Sequence, residues 1–362
     1  MFVRMLALGL AFSAFAAVPA ADPPPELVAA PHPKGYVCYR ARTPITIDGK
    51  HDDVWNDAPW SEEFTDIEGD RKPKPRHKTR MKMLHDDDAL YIFAELEDPH
   101  VWGTLKDHDS IIFHDNDFEV FLDTNGDNHA YGELEVNAMN TTWDLLLTKP
   151  YKDGGVAVTG WEIKGLQTAV NVNGTLNNPG DTDHGWTLEI RWPYASLREL
   201  SKLKSPPTDG EQWRINFSRV QWKHKVMNGK YVKDGKVEDN WVWSPQGVID
   251  MHRPERWGYL QFSTAKPGRA EFEKDADWPA KDLLHRVYYA QRLHKVEHKS
   301  FSANLDNLKL EGALVPLVGT VQLEATKNGY EATLEAPARG ARKARKATRY
   351  SITQDGQLRG PE

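Results

Sequence analysis

Phe118-Glu119-Val120-Phe121-Leu122-Asp123 alternates its side chains with a period of two. An extended chain turns successive side chains to opposite faces, so this run is a strand with Phe118, Val120 and Leu122 on one side and Glu119, Phe121 and Asp123 on the other. The same period recurs on either side of it. Leu134 and Val136 alternate with Glu133, Glu135 and Asn137; Trp186, Leu188, Ile190 and Trp192 with Thr187, Glu189 and Arg191; Trp213, Ile215 and Phe217 with Arg214, Asn216 and Ser218. One face of each strand is core. If the opposite faces align in one sheet, they form a hydrophilic surface rich in acids, amides and arginines; the alternative is a set of solvent-facing ion pairs on a half-exposed sheet. The run from Leu90 to Leu96 is apolar on both faces, which predicts a central strand entered through the Asp86-Asp87-Asp88 turn.

Short alternating runs separated by turn residues continue from Thr43 to Phe262, the pattern of an antiparallel β-sandwich. Past Lys266-Pro267-Gly268 the period changes. Leu283, Val287, Ala290 and Leu293 recur at helical spacing behind Asp277 and Pro279, predicting an amphipathic helix over roughly 278–298. Alternating runs at 319–326, 329–335 and 348–353 follow, the first two joined by Asn328-Gly329. The fold class is therefore mainly β, a sandwich over 36–265 with a small C-terminal α+β unit over 266–362.

Ahead of the sandwich, Leu6 to Val18 is apolar behind Arg4 and ends in Val18-Pro19-Ala20-Ala21, so residues 1–20 read as a signal peptide and the protein as exported, periplasmic or extracellular. That run is too short to cross a bilayer, and no membrane insertion is expected. Residues 21–35 read as a proline-rich tether. A lone Cys38 allows no internal disulfide, and a net charge of −7 opposes a nucleic-acid role. The basic stretch from Arg339 to Arg349 reads as a solvated loop. Nucleophile-elbow, His-Glu-x-x-His and phosphate-loop motifs are absent, and no catalytic residue is assigned.

Pro44-Ile-Thr-Ile-Asp48-Gly49-Lys-His-Asp52-Asp53-Val-Trp55, then Leu90-Tyr91-Ile92, Phe118 to Asp123, Trp186-Thr-Leu-Glu189-Ile and Pro254-Glu-Arg-Trp257-Gly258 arrive in one order. Together they resemble the family 9 carbohydrate-binding modules and their DOMON-like relatives over roughly residues 40–262. The resemblance implies a sandwich that binds glucans, xylans or their chain ends, in the service of polysaccharide catabolism and without catalysis of its own. It also implies a sugar held between two aromatic rings and fixed by polar side chains. The glutamate position matches Glu119 and the asparagine position Asn137. An arginine position is Glu135 here, one tryptophan position falls near Phe113, and the remaining positions fall near Met251 and Ser218.

Trp102, Trp143 and Trp241 lie beside loop-like sequence and are further candidates for stacking on a sugar, whereas Trp186, Trp192 and Trp213 belong to the core. Asp123, Asn125 and Asp127 place oxygen-bearing side chains at alternate positions of a tight loop, a candidate structural calcium site set against an Asx-stabilised turn. The expected partner is a polysaccharide or oligosaccharide, with a protein partner for the C-terminal unit as a further expectation. Two rival readings are a glycoside hydrolase and a haem-binding redox domain using Met139, Met251, His114 or His252.

Overall fold

The computed structural model describes residues 24–201, 203, 206–310, 321–336, 340–341, 343–344 and 347–361. The expected signal peptide lies outside the described residues, as do Arg339, Arg342, Arg345 and Lys346 of the basic stretch; Gly340 and Ala341 of that stretch pair with Lys343 and Ala344 as a short hairpin in place of the expected loop.

Fifteen strands precede the long helix: β1 Gly35–Arg40, β2 Thr65–Asp66, β3 Thr79–His85, β4 Ala89–Glu97, β5 Asp117–Asp123, β6 Tyr131–Asn137, β7 Thr142–Leu147, β8 Ala157–Val158, β9 Gln167–Asn173, β10 Gly185–Pro193, β11 Gln212–Gln221, β12 His224–Met227, β13 Lys230–Lys233, β14 Asp239–Val242 and β15 Gly258–Ser263. Thirteen of them join one curled sheet in the order β8-β7-β6-β5-β11-β15-β1-β3-β4-β10-β9, with β14 on β11 and β2 on β14. Its two halves close over one core, as the layers of a sandwich do. Phe118, Val120, Leu134, Val136, Ile215 and Phe217 from one half meet Leu90, Ile92, Trp186, Leu188, Ile190 and Trp192 from the other.

β4 is interior to the sheet and apolar on both faces, as its sequence predicts, for a reason seen only in three dimensions. Its second face, Tyr91 and Phe93, is roofed by the segment carrying Ile45, Ile47, Trp55 and Trp60. That segment is clamped by one buried side chain: Glu189 accepts from the amides of Asp48 and Gly49 and from Trp55 Nε1, each at 2.7 Å. Gly49 is required there. Its φ is +81°, and a Cβ would lie 2.8 Å from the backbone nitrogen of Asn171.

The helix Trp278–His298 spans the expected residues. It packs on a four-stranded sheet of Gln322–Ala325, Tyr330–Ala336, Thr348–Thr353 and Leu358–Arg359 through Leu283, Leu284, Val287 and Ala290. Leu293, expected on that stripe, is 44 % exposed. The other side of the helix docks on the β domain: Tyr288 and Arg292 reach Asp153, Tyr289 reaches Glu255, and Arg256 pairs with Asp282. The apolar stripe is thus covered by the protein's own sheet.

Residues 24–34, expected as a tether, are mostly extended yet tied down at several points. Leu27 enters the helix core, Glu26 pairs with Arg253 at 3.2 Å, and Ala30 accepts from Trp278 Nε1 at 3.4 Å. Among the described residues no helix is long and apolar enough to cross a membrane.

Candidate functional site

β5 lies between β6 and β11, and the register decides which polar side chains meet. Glu119 stands opposite Glu135 on one side and Ser218 on the other; Asp117 stands opposite Asn137, and Glu133 opposite Phe121. Oxygens of Asp117, Glu119 and Glu135 all lie within 4.8 Å of one another. These acids are almost sealed: Asp117 is 0 % exposed, Glu119 5 %, Glu133 4 % and Glu135 2 %. Among the described residues none of the four has a Lys, Arg or His nitrogen within 4.0 Å.

Desolvation and mutual repulsion set the electrostatics of this face. Burial pushes the Glu119 carboxyl up to about 7. Burial first, and then the neighbouring Glu119 charge, raises Asp117, Glu133 and Glu135 well above the ordinary carboxylate range. Few donors compensate. Glu135 accepts from the Phe113 amide at 2.9 Å and Asp117 from the Val220 amide at 3.2 Å, while the Ser218 hydroxyl faces Glu119 and Asp117 Oδ2 is buried without a hydrogen-bond partner.

Aromatic rings border the acids. Phe113 and Trp143, both half-buried, stack with centroids 6.4 Å apart, and Trp143 lies across the strand pair from Glu135. On the other side Tyr151, 48 % exposed, packs edge-on against His252 at 4.5 Å. Burial, and then the charges of Glu133 and Glu135, raise its phenol. Met251 joins Trp143 in the apolar cluster around Phe121 and Trp257.

Residues 47–201, which contain most of this constellation, match the family described as carbohydrate family 9 binding domain-like. That stretch of the β domain is similar to the family. No curated protein matches the chain. Solved structures similar to this family 9-like protein include a family 9 carbohydrate-binding module from Caldicellulosiruptor kristjanssonii in complex with cellotriose, with 18% identity over 67% of this chain and 100% of that one and a TM-score of 0.43. A family 9 module of the same organism in complex with glucose shows 18% identity over 65% of this chain and 100% of that one, TM-score 0.42. A Bacteroides uniformis protein provisionally assigned as carbohydrate-binding shows 15% identity over 64% of this chain and 100% of that one, TM-score 0.48.

Within the family 9-like domain, the expected site residues divide. Glu119, Glu135, Phe113 and Trp143 are brought together. Asn137 is adjacent but fully engaged: its Nδ2 donates to the Leu105 carbonyl and to Asp115, and its Oδ1 accepts from the amides of Met139 and Thr141. It braces a turn and has no bonding capacity left for a ligand, a correction to its expected role. Trp102 and Trp241 are corrected as well. Trp102 is buried beneath the β12–β13 hairpin against Tyr231, and Trp241 is buried between Arg76 and Arg219.

The Asp123, Asn125 and Asp127 loop takes the Asx-turn form. Asp123 accepts from the amides of Gly126 and Asn128 at 2.8 and 2.9 Å, Asn125 from that of Asp127, and Asp127 from that of His129. The loop is then held by the C-terminal unit, with Gln357 donating to Asp127 and Asn128 donating to His285. Of the groups named for haem, His252 is surrounded by Phe121, Tyr131 and Tyr151 and shares a 2.9 Å hydrogen bond with the Tyr131 hydroxyl.

Asp117, Glu133 and Tyr151 were not among the expected site residues. Asp117 extends the polar face of β5 by one further step of the same period, and Glu133 stands on the polar face of β6, so both were within reach of alternation. Tyr151 follows Pro150 in a loop and carries no periodic signal.

Proposed function

We propose that this protein is an exported, non-catalytic carbohydrate-binding protein that takes polysaccharide or oligosaccharide across the rim formed by Phe113, Trp143, Tyr151 and Met251. The observation that carries the reading is the half-exposed Phe113–Trp143 stack bordering Glu119 and Glu135, inside the span that matches the family. Aromatic faces hold the apolar face of a sugar ring, and Phe113, Trp143 and Tyr151 are the partly exposed rings of this rim. The cellotriose and glucose in the Caldicellulosiruptor complexes name the ligand class to try first. Acids that are 0 to 5 % exposed leave no room for a glycosidic bond between them, so binding is favoured over hydrolysis.

A glycan array, followed by pull-down on insoluble polysaccharides, tests this. The intact protein binds at least one glycan, and Trp143→Ala weakens that binding about ten-fold or more, in keeping with an aromatic anchor. Uniform failure of the intact protein to bind overturns the proposal, and turnover of a glycan by pure protein replaces it with the hydrolase reading.

A further inference from the structure

We propose that the cleft between the β domain and the C-terminal helix binds a small carboxylate, a sugar acid above all, through Arg214 and His285. The cleft is a cavity of about 390 Å³, within the range of small-ligand sites, and its walls come from β11, β15, the 125–128 loop and the first turns of the helix. Arg214 is 7 % exposed. It spends Nη2 on the carbonyls of Pro254 and Glu255 at 3.2 and 2.8 Å, lies over the Tyr259 ring at 4.1 Å and faces the Tyr259 hydroxyl, yet its Nε has no hydrogen-bond partner. Among the described residues no carboxylate oxygen lies within 4.0 Å of this guanidinium. The acids nearby are committed elsewhere. Asp123, registered opposite Arg214, accepts from the amides of Gly126 and Asn128; Asp275 takes Lys281 at 2.7 Å and the Tyr259 hydroxyl at 3.0 Å; the Glu255 carboxylate takes Tyr289.

A second unmatched donor enters from the helix. His285, 4 % exposed, accepts at Nε2 from Asn128, whose amide is oriented by its bond to the Gly356 carbonyl, so the ring proton sits on Nδ1. That Nδ1–H is buried without a partner, and the Arg214 charge acts on the same ring. Two buried N–H groups, one of them cationic, call for an anionic acceptor with two oxygens. A carboxylate supplies it with a single negative charge. Glu255, Glu273 and Asp275 also line the cleft; they oppose a phosphate dianion but can accept from the hydroxyls of a sugar acid. This cleft shares no residue with the rim of Phe113, Trp143, Tyr151 and Met251, so either site can fail without the other.

Isothermal titration of the full chain with D-glucuronate is the test, with glucose and inorganic phosphate as the other probes and melting temperature as the second readout. Glucuronate should bind, resist displacement by glucose, and raise the melting temperature by about 3 °C at about ten times its dissociation constant. Arg214→Lys, which keeps the charge but not the planar fork, and His285→Leu should each weaken binding about ten-fold or more. Arg42→Gln, which alters an exposed arginine paired with Asp57 outside the cleft, should leave it unchanged. Failure of the intact protein to bind glucuronate overturns the proposal. So does phosphate bound as tightly as glucuronate, glucuronate displaced by glucose, or an affinity unchanged in both cleft variants. If the cleft variants do not fold, the three titrations of the intact protein still decide.

Discussion

The β5–β6 face and the docking surface of the C-terminal helix both bury carboxylates, and they treat them in opposite ways. At the docking surface Asp153 receives Tyr288 and Arg292, Glu255 receives Tyr289 with Lys152 at 3.8 Å, and Asp282 lies between Arg256 and Arg286. Burial alone pushes Glu255 upward, yet Lys152 and Arg253 beside it bring it down to about 2. On the β5–β6 face the same burial acts with no opposing charge, and Glu119 rises to about 7. Burial is common to both, so the partner decides. An acid buried with its counter-charge is part of the fold's own cohesion, whereas acids buried together without one are driven toward the protonated form.

Removing one member of the paired set should have the largest effect. Glu255→Ala takes a carboxylate partner from Lys152 and strands the Tyr289 hydroxyl, and should cost about 3–5 kcal/mol in urea unfolding. Acid should act next, on the same surface. Burial lowers His285 to about 4 from the usual 6.5, so between those values the unfolded chain binds a proton that the native state refuses. The His285 contribution to stability is therefore lost as pH falls from 6.5 toward 4, by about 3 kcal/mol, while the raised acids of the β5–β6 face act in the opposite direction. Urea midpoints at pH 7 and pH 4.5, compared between the intact protein and His285→Gln, check it, and an equal pH dependence in the two would show that His285 is not sealed by the helix. Glu189→Ala should cost about 2 kcal/mol, because three charge-assisted hydrogen bonds to the 48–55 segment go with it. Glu135→Gln should change the sign. It keeps an acceptor for the Phe113 amide, removes one unpaired acid, and should raise stability by about 1 kcal/mol. If Glu135→Gln destabilises the protein as Glu255→Ala does, the contrast between the two surfaces is wrong.

Much of this organisation was legible in local pattern. Alternation placed Phe118, Leu134, Trp186 and Trp213 in the core, and helical spacing placed the helix at 278–298. Local pattern did less well where a side chain's fate depends on a distant segment. Glu189 and Glu119 look alike in sequence, each the polar alternate in an apolar strand. Glu189 is spent on Asp48, Gly49 and Trp55, more than a hundred residues away in sequence, and Glu119 faces other acids. Trp241 sits beside loop-like sequence, but Arg76 and Arg219 enclose it. The Asp123 loop shows its alternate oxygen-bearing side chains in the sequence, but that the C-terminal unit holds Asp127 through Gln357 does not show there.

By itself the amino-acid sequence determined the strands, the helix and which face of each is apolar, because those follow from side-chain periods of 2 and 3.6 residues acting within a few neighbours. Only the tertiary structure decided which polar faces share a floor and which acids find a base, because strand order and register join residues far apart in the chain, and the energy of a buried charge depends on what stands within a few ångströms of it.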